Sequence, residues 1–334
     1  MQIQVLQKDE LSSLKGLISG FTGFTFNSSR EHSLVHALSA FSKEHNCSTP
    51  LQLEHLLRTN QDLMKKFTEC LLVHETYFFR EKESLEHLIT LLQRRCSTSA
   101  PSSQPVRIWS AGCSTGEEPY SLALLLLDSP FRTNFRIVAT DISQQALNHA
   151  NLAQYSEWSM RSLGAEQRLR FFDKGIKTYR LKDESAKQRV TFLKANLTEQ
   201  NQLSAEWSAL DAIICRNVLI YFESNVVGKL AKIFYDQLKP GGILLTGASD
   251  PPLVGFTDFE LEYTKTGIIY KKPDEKTAKG SARRSQSTTI APSRRSLNKP
   301  VAASRKSIGT AATPSRRSLN ARSSQAHVSA GKEA

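Results

Sequence analysis

Two hydrophobic patterns divide the chain into an N-terminal and a central part. Over residues 1–95, apolar side chains recur at intervals of three and four residues, as at Leu34, Leu38 and Phe41, which is the spacing of an amphipathic helix. After residue 105, short apolar runs of strand length alternate with segments of helical spacing, which is typical of an α/β sheet. The predicted organisation is a helical domain over 1–95, a Ser/Pro-rich linker over 96–105, an α/β domain over 106–271 and a tail over 272–334.

The central part is predicted to form a mostly parallel sheet, because its apolar strand runs are continuous and are separated by helices. A polar insertion at about residues 171–190 contains the alternating segment 178–181, which predicts a small antiparallel β-subdomain. A closing hairpin is predicted over 259–263 and 267–271. The other predicted strands cover 107–111, 135–140, 189–193, 210–215 and 242–246, and the predicted helices cover 118–128, 144–155 and 224–238.

The strongest chemical signal is the segment 106–121, VRIWSAGCSTGEEPYS. It predicts a strand, a tight turn that needs Gly112 and Gly116, and a helix whose first turn holds Glu117 and Glu118. This order of elements is typical of a nucleotide-type cofactor site at the first crossover of an α/β sheet. Two carboxylates disfavour a phosphate group at that helix, so a cofactor with an adenosine end and a positive centre fits better, and S-adenosylmethionine is the common one.

Polar residues follow three further predicted strands, where ligands of open α/β sheets bind. Asp141 ends the second strand and is predicted to bind ribose hydroxyls, although it is also suited to cap the next helix. Asn196 and Leu197 follow the third strand, at the usual place of an adenine, but an ordinary loop explains them equally well. Arg216 and Asn217 follow the fourth strand and are either site residues or a polar strand end facing solvent.

The segment 74–81, HETYFFRE, is the least ordinary part of the helical region, because three consecutive aromatic residues exceed what one amphipathic face requires. Phe78 and Phe79 are expected to form a buried inter-domain contact. Arg80 is a candidate for pairing with the carboxylate of the cofactor. The ring of Tyr77 is a candidate for facing the sulfonium in a cation–π contact.

The net charge of +12 lies entirely in residues 271–334, which are the tail and the one residue before it. They hold 15 Lys and Arg against 3 Asp and Glu, and residues 1–270 are neutral. Bulk charge therefore argues against nucleic-acid binding by the globular part. The tail repeats PSRRSLN at 292–298 and 314–320, lacks aromatic residues and is predicted to be disordered. Three roles stay open for it: an inert extension, a tether to an anionic membrane surface, and an arm that binds an acidic protein and is regulated at its serines.

The five cysteines are scattered and form no C-x-x-C pair, which indicates free thiols in a reducing compartment and argues against a zinc or other metal site. The first ten residues lack the apolar region of a signal peptide. The longest apolar runs are far too short to span a bilayer. We therefore expect a cytoplasmic protein.

Taken together, these motifs resemble the CheR family of chemotaxis receptor methyltransferases, which methylate glutamate side chains of bacterial chemoreceptors with S-adenosylmethionine. The resemblance covers roughly residues 15–271, and its motifs agree with the family in sequence, spacing and order. The matching segments are ETYFFRE at 75–81, WSAGCSTGEEPYS at 109–121, ATDIS at 139–143, NL at 196–197, CRNVLIYF at 215–222 and LKPGG at 238–242.

The resemblance implies an α/β fold of the class I, Rossmann-like methyltransferase type, with a small N-terminal all-α domain and a small antiparallel β insertion. It implies a protein-glutamate O-methyltransferase that acts on the cytoplasmic methylation helices of chemoreceptors, with recruitment to receptor clusters at the inner membrane; a monomer is expected. No catalytic residue is assigned, and Arg80 and Tyr77 are candidates for positioning. The predicted cofactor-binding residues are His74, Thr76, Arg80, Gly112, Glu117, Asp141, Asn196, Leu197, Arg216 and Asn217.

Two features depart from the family pattern or vary within it. His74 stands where the family commonly has asparagine, and an imidazole lacks the paired donor and acceptor of an amide, so cofactor affinity is expected to change. The insertion resembles the β-subdomain that grips a receptor peptide in some members, but it is short, so no such peptide tether is expected. A basic face would help to bind the acidic receptor helices, and its candidates are Arg58, Lys65 and Lys66. An ordinary solvent-exposed face is the alternative interpretation of these residues.

The substrate chemistry requires no general base, because a glutamate side chain, with a pKa of about 4.3, is already ionised at neutral pH. Positioning and desolvation are then expected to supply most of the acceleration. Two other functions stay open at this point: a class I methyltransferase that holds RNA with the basic tail, and a non-catalytic domain that binds the cofactor as a sensor. The neutral body and the missing N/D-P-P-Y-type motif oppose the first, and only the departure at His74 supports the second.

Overall fold

The structure is a computed structural model that describes residues 7–98, 104–131, 134–199, 208–264 and 267–274. Nearly all of the tail predicted over 272–334 therefore lies outside the described residues. No helix in these ranges is long and apolar enough to cross a membrane. Among the described residues, five helices precede the first strand: α1 (Lys8–Thr22), α2 (Ser28–Glu44), α3 (Pro50–Thr59), α4 (Gln61–Leu71) and α5 (Lys82–Thr98).

The first four helices begin and end at residues that satisfy their free backbone groups. The side chains of Asn27, Thr49 and Asn60 accept hydrogen bonds from the first turns of α2, α3 and α4. Gly23 ends α1 in the left-handed conformation, with φ 77°. Helices α1–α4 enclose an apolar core of their own, formed by Leu14, Ile18, Leu34, Ala37, Leu38, Phe41, Leu53, Leu57, Met64 and Phe67.

Helix α5 packs elsewhere. Its buried residues Leu85, Leu88 and Leu92 belong to the same apolar cluster as the sheet residues Ile108 and Ile137. It also continues to residue 98, inside the predicted linker over 96–105. Within the segment predicted as a helical domain over 1–95, α5 thus packs with the sheet, whereas α1–α4 share a core of their own.

The main sheet has seven strands among the described residues. Helices flank both faces, with α5 and the helix Glu117–Leu127 packing against one face and the helix Ser224–Gln237 against the other. The strands are β1 (Val106–Ala111), β2 (Phe135–Asp141), β6 (Val190–Lys194), β7 (Leu210–Cys215), β8 (Leu238–Thr246), β9 (Glu260–Thr264) and β10 (Gly267–Lys271). The helices between them are α6 (Glu117–Leu127), α7 (Gln144–Leu152), α8 (Ala165–Phe171), α9 (Glu184–Gln188) and α10 (Ser224–Gln237).

The strand order is β6-β2-β1-β7-β8-β10-β9. The first five strands of this order are parallel, and β10 runs antiparallel to both of its neighbours. This is the predicted α/β sheet of the class I methyltransferase type, including its closing hairpin. The order reverses between β1 and β7, so a crevice is expected where these two strands end.

A second, small antiparallel sheet confirms the predicted β insertion and extends beyond it. It consists of β3 (Gln154–Tyr155), β5 (Tyr179–Leu181) and β4 (Phe172–Lys174), in that order. The helix predicted over 144–155 is shorter in the structure, because Ala153 adopts a left-handed conformation with φ 49° and the chain then enters β3.

Candidate functional site

A cleft of about 290 Å³ lies at the carboxyl ends of β1, β2, β6 and β7, and residues of the helical region close its other side. It forms at the point where the strand order reverses, as the topology requires. From the helical region it is lined by the ends of α1 and α4 and by the segment 71–76. Nine of the ten predicted cofactor-binding residues line this cleft: His74, Thr76, Arg80, Gly112, Asp141, Asn196, Leu197, Arg216 and Asn217.

The glycine turn ties the ends of β1 and β2 together. The backbone amides of Gly112 and Cys113 both donate to the carbonyl of Thr140, at 2.8 and 2.9 Å. Gly112 has φ +79°, and a Cβ atom at this position would lie 2.5 Å from Cγ2 of Val218. The turn therefore requires glycine both for its backbone conformation and for the close approach of the loop after β7.

Asp141 is fixed by backbone amides on two sides. Its carboxylate accepts from the amide of Ser114 at 2.8 Å and from the amide of Ser143 at 2.9 Å. The alternative role as a helix cap is wrong, because Ser143 caps α7 by accepting from the amide of Ala146. Burial raises the pKa of Asp141. The geometry leaves a preorganised acceptor in the cleft, which is what a ribose diol requires.

The two acids at the start of α6 have different surroundings. Glu117 is buried and accepts from the hydroxyls of Thr115 and Ser159, and it does not line the cleft. Burial raises the pKa of Glu117, and its predicted contact with the cofactor rests on the resemblance alone. Glu118 lines the cleft instead, with its carboxylate hydrogen-bonded to the hydroxyl of Ser110 at 2.7 Å.

Arg216 is the centre of a buried charge network. Its guanidinium lies 3.0 Å from the carboxylate of Glu81 and 3.3 Å from that of Glu118. It also donates to the carbonyl of Arg80 at 2.7 Å. Only 6% of Arg216 is exposed, so the alternative of a polar strand end facing solvent is wrong. The network joins the loop after β7 to the first turn of α6 and to the segment that carries Arg80.

The segment 74–81 divides its side chains between core and cleft. Phe78 and Phe79 are buried against the sheet layer, as predicted. Arg80 lines the cleft and donates to the carbonyl of Glu75 at 3.0 Å. The structure places Tyr77 outside the lining, with the guanidinium of Arg161 3.9 Å from its ring centroid, so the structure does not support its predicted contact with a sulfonium.

Two further predicted residues contact the loops around the cleft. Nδ1 of His74 lies 3.4 Å from the hydroxyl of Ser114, in the loop that also contacts Asp141. The amide oxygen of Asn196 accepts from the backbone and the hydroxyl of Thr198, at 3.1 and 2.9 Å. Asn196 thus shapes its own loop while it lines the cleft beside Leu197.

Sequence analysis missed Asp250, which organises the loop after β7. Its carboxylate accepts from the backbone amides of Asn217 at 2.6 Å, Gly247 at 2.8 Å, Val218 at 3.1 Å and Ile220 at 3.3 Å. Asn217 is held there in a left-handed conformation with φ 58°. The signal was the Asp-Pro pair at 250–251, shortly after β8, the strand that neighbours β7, since such a pair marks a turn.

We expect Asp250→Asn to lower the free energy of unfolding by about 2 kcal/mol. An amide offers one oxygen where the carboxylate offers two, and its NH₂ group would face backbone donors. Urea unfolding of the variant and the wild type measures the difference. Asp258→Asn, at an exposed position of the same region, is the control and should change stability by no more than about 0.5 kcal/mol. Equal stability of the two variants would contradict a structural role for Asp250.

The chemistry of the cleft fits S-adenosylmethionine. Asp141 supplies an acceptor for ribose hydroxyls, and Ile142 and Leu197 supply apolar walls for a base. Arg80 has no carboxylate at ion-pair distance among the described residues and suits the carboxylate of an amino acid. The acidic first turn of α6 is compatible with a cationic sulfur and opposes a phosphate.

Comparison with known proteins agrees with this chemistry. A family model described as "CheR methyltransferase, SAM binding domain" matches residues 74–261. The chain is 36% identical over 220 residues to a chemotaxis protein methyltransferase of Vibrio anguillarum, covering 64% of this chain and 77% of that protein. It is 31% identical over 263 residues to chemotaxis protein methyltransferase 1 of Pseudomonas aeruginosa, covering 75% and 92%. The chain therefore belongs to the CheR methyltransferase family, and its α/β part is an S-adenosylmethionine-binding domain.

Proposed function

We propose that this protein is a protein-glutamate O-methyltransferase that methylates glutamate side chains of chemoreceptors with S-adenosylmethionine. The observation that carries the proposal is a cleft in a member of the CheR family that combines a ribose acceptor, an acidic helix start and an arginine with no carboxylate partner in the described part of the chain. The relatives are named chemotaxis protein methyltransferases, which favours a protein acceptor over RNA.

The mechanism assigns binding and orientation to the residues of the cleft. When bound, S-adenosylmethionine supplies a methyl group activated by a positively charged sulfur. Asp141 binds the ribose and Arg80 the carboxylate of the amino acid, which together fix the direction of the methyl group. An oxygen of the glutamate carboxylate forms a bond to the methyl carbon, the carbon–sulfur bond breaks, and its electron pair stays on sulfur. No proton moves, so the lack of a general base is consistent with the reaction.

The buried network around Arg216 contributes by excluding water. Arg216 pairs with the carboxylates of Glu81 and Glu118, and its side chain is nearly inaccessible to water. Charge is lost as carboxylate and sulfonium combine, so a site that withholds water favours the transition state over the separated ions. We therefore propose that the network acts as a rigid, dry floor for the cleft.

We further propose a location in the cytoplasm and recruitment to receptor clusters. All five cysteines are unpaired in the structure, which suits a reducing compartment. In the tail, a pair of basic residues followed by serine recurs at an interval of eleven residues, ending at Ser285, Ser296, Ser307 and Ser318. Regularly spaced basic pairs favour contact with an anionic membrane surface or an acidic protein, and a phosphate at each serine would weaken it.

The basic face sought for receptor helices has little support in the structure. Arg58, Lys65 and Lys66 are each paired with a carboxylate, on Glu54, Asp62 and Glu44. These pairs are exposed and favour the alternative of a solvated face.

The proposed function predicts transfer of labelled methyl from S-adenosylmethionine to receptor-containing membranes, measured as methanol released in base. Glutamate esters hydrolyse in base, whereas methylated RNA bases and amines release no methanol. Arg80→Ala and Asp141→Ala should each lose the signal together with cofactor affinity. Arg136→Ala, an exposed arginine near the start of β2 and away from the cleft, is the control and should retain both. Cofactor binding by the wild type without methanol release from any receptor would contradict the proposal.

A further inference from the structure

One end of the cleft remains unassigned after the cofactor contacts are placed. This end is formed by Phe24, Arg30, Ile220, Tyr221 and Phe222. It joins the helical region to the loop after β7, through a bridge between Phe24 and Phe222 and a hydrogen bond of 2.8 Å from the amide of Thr25 to the carbonyl of Tyr221. Its wall is therefore aromatic, with one cationic side chain.

That cationic side chain, Arg30, is held in a defined place. Its guanidinium lies over the ring of Tyr221, 4.5 Å from the centroid, and 5.6 Å from the ring centroid of Phe24. Nη1 donates to the carbonyls of Thr25 at 3.0 Å and Tyr221 at 3.4 Å. Stacking and these two bonds fix the plane of the guanidinium, while the structure gives Nε and Nη2 no partner within the described ranges.

The charge environment of Arg30 differs from that of Arg216. Arg216 lies between two carboxylates, whereas Arg30 has no carboxylate at ion-pair distance among the residues that the structure describes. Burial lowers the pKa of Arg30, in agreement with its partly buried position against the aromatic rings. A desolvated guanidinium with a free edge is a strong site for a carboxylate.

We infer that Arg30 binds the carboxylate of the acceptor glutamate through Nε and Nη2 and presents one of its oxygens to the methyl group. The inference rests on the proposed function, and it follows from pairing each carboxylate that enters the cleft with an arginine. The reaction brings two carboxylates into the cleft, one on the cofactor and one on the substrate. Two arginines in the cleft lack a carboxylate partner in the described residues: Arg80 suits the first, and Arg30 the second.

The kinetic consequence is specific to this role. The carboxylate loses its charge as the ester forms, so its contact with Arg30 is stronger in the bound substrate than in the transition state. Removing the contact should therefore raise KM for the receptor without lowering kcat. The same loss of charge weakens the interaction between Arg30 and the ester, which favours release of the methylated receptor.

The test compares Arg30→Met and Arg30→Lys in the full chain. Methionine keeps an apolar stem against the aromatic wall and removes the charge, and lysine keeps the charge without the planar fork. We expect Arg30→Met to raise KM for the receptor about 100-fold, as for loss of a charge-assisted hydrogen bond, and Arg30→Lys to raise it less. In both variants, the affinity for S-adenosylmethionine, measured by calorimetry, should stay within about two-fold of the wild-type value. Arg136→Met is the matched control and should leave KM unchanged.

Other outcomes separate the inference from the proposed function. Wild-type KM in Arg30→Met would overturn the inference and leave the proposed function standing. A parallel loss of cofactor affinity and kcat in Arg30→Met would also overturn it, because it would show that Arg30 only supports the fold or the cofactor. Absence of methyl transfer by the wild type, with the cofactor bound, would instead contradict the proposed function, and the inference would fail with it.

Discussion

Replacing Arg216 by methionine is expected to lower the free energy of unfolding by about 3–5 kcal/mol. The guanidinium lies between Glu81 and Glu118 and is nearly inaccessible to water. Its removal takes the ion-pair partner from both carboxylates, of which that of Glu118 is largely buried. Burial already raises the pKa of Glu118, while Arg216 opposes that shift. Chemical denaturation of the variant and the wild type at neutral pH measures the loss.

The sign of the pH dependence gives a second measurement on the same variant. Without Arg216, the folded-state pKa of Glu118 should rise further above its ordinary value, because only the hydrogen bond from Ser110 and the charge of Arg80 then oppose desolvation and the charge of Glu81. A group whose folded-state pKa lies above its unfolded-state pKa favours the folded state when it is protonated. The variant should therefore recover stability relative to the wild type as the pH falls toward 4–5, roughly the ordinary range of a carboxyl group.

Two matched variants make this prediction specific. Arg170→Met removes an exposed arginine, paired with Asp128 at 2.5 Å, and should cost no more than about 1 kcal/mol. Adding Glu81→Gln and Glu118→Gln to Arg216→Met removes the uncompensated charges and should restore part of the lost stability. If Arg216→Met costs no more than Arg170→Met, the network is not the buried support that the geometry indicates.

The sheet was predictable because buried parallel strands are continuous apolar runs. The run LDAIIC predicted β7 with the bounds that the structure shows, since every residue of it is buried. The glycine turn and Asp141 were predictable for a related reason. The chain must leave each strand at the same edge of the sheet, and small or acidic residues there have few structural roles.

The partner of a helix was not predictable from its own pattern. Helix α5 shows an apolar face, but the spacing of Leu85, Leu88 and Leu92 does not tell whether that face meets other helices or a sheet. For a similar reason, the sequence did not indicate which of Glu117 and Glu118 lines the cleft. Both belong to the first turn of α6, and the rotation of the helix against the sheet decides which carboxylate reaches the cleft.

Long-range contacts explain the remaining omissions. Arg30 and Asp250 belong to no motif with a regular spacing, and each acts on the loop after β7 from a distant part of the chain. In the sequence, that loop is visible only as the residues that follow Cys215. The contacts of Asp250 and Arg30 with the loop follow from the tertiary fold alone.

Replacing Gly112 by alanine is expected to lower the affinity for S-adenosylmethionine by on the order of 10- to 100-fold. The new Cβ atom would lie 2.5 Å from Cγ2 of Val218, and φ +79° is strained for any residue with a side chain. The turn must then move, and with it the amide of Ser114 that holds Asp141. Equilibrium binding of the cofactor measures the effect.

A second substitution separates the two sources of strain, which are the close contact with Val218 and the positive φ. Adding Val218→Ala to Gly112→Ala removes the close contact but not the unfavourable φ, so it should restore only part of the affinity. Gly20→Ala is the control, because it lies within α1 and its added Cβ meets no atom within 4 Å beyond its own helix backbone and chain neighbours. It should bind the cofactor normally and gain about 0.5–1 kcal/mol of stability. Wild-type affinity in Gly112→Ala would mean that the cofactor does not approach the chain at this turn, and the site would have to be sought further along the cleft.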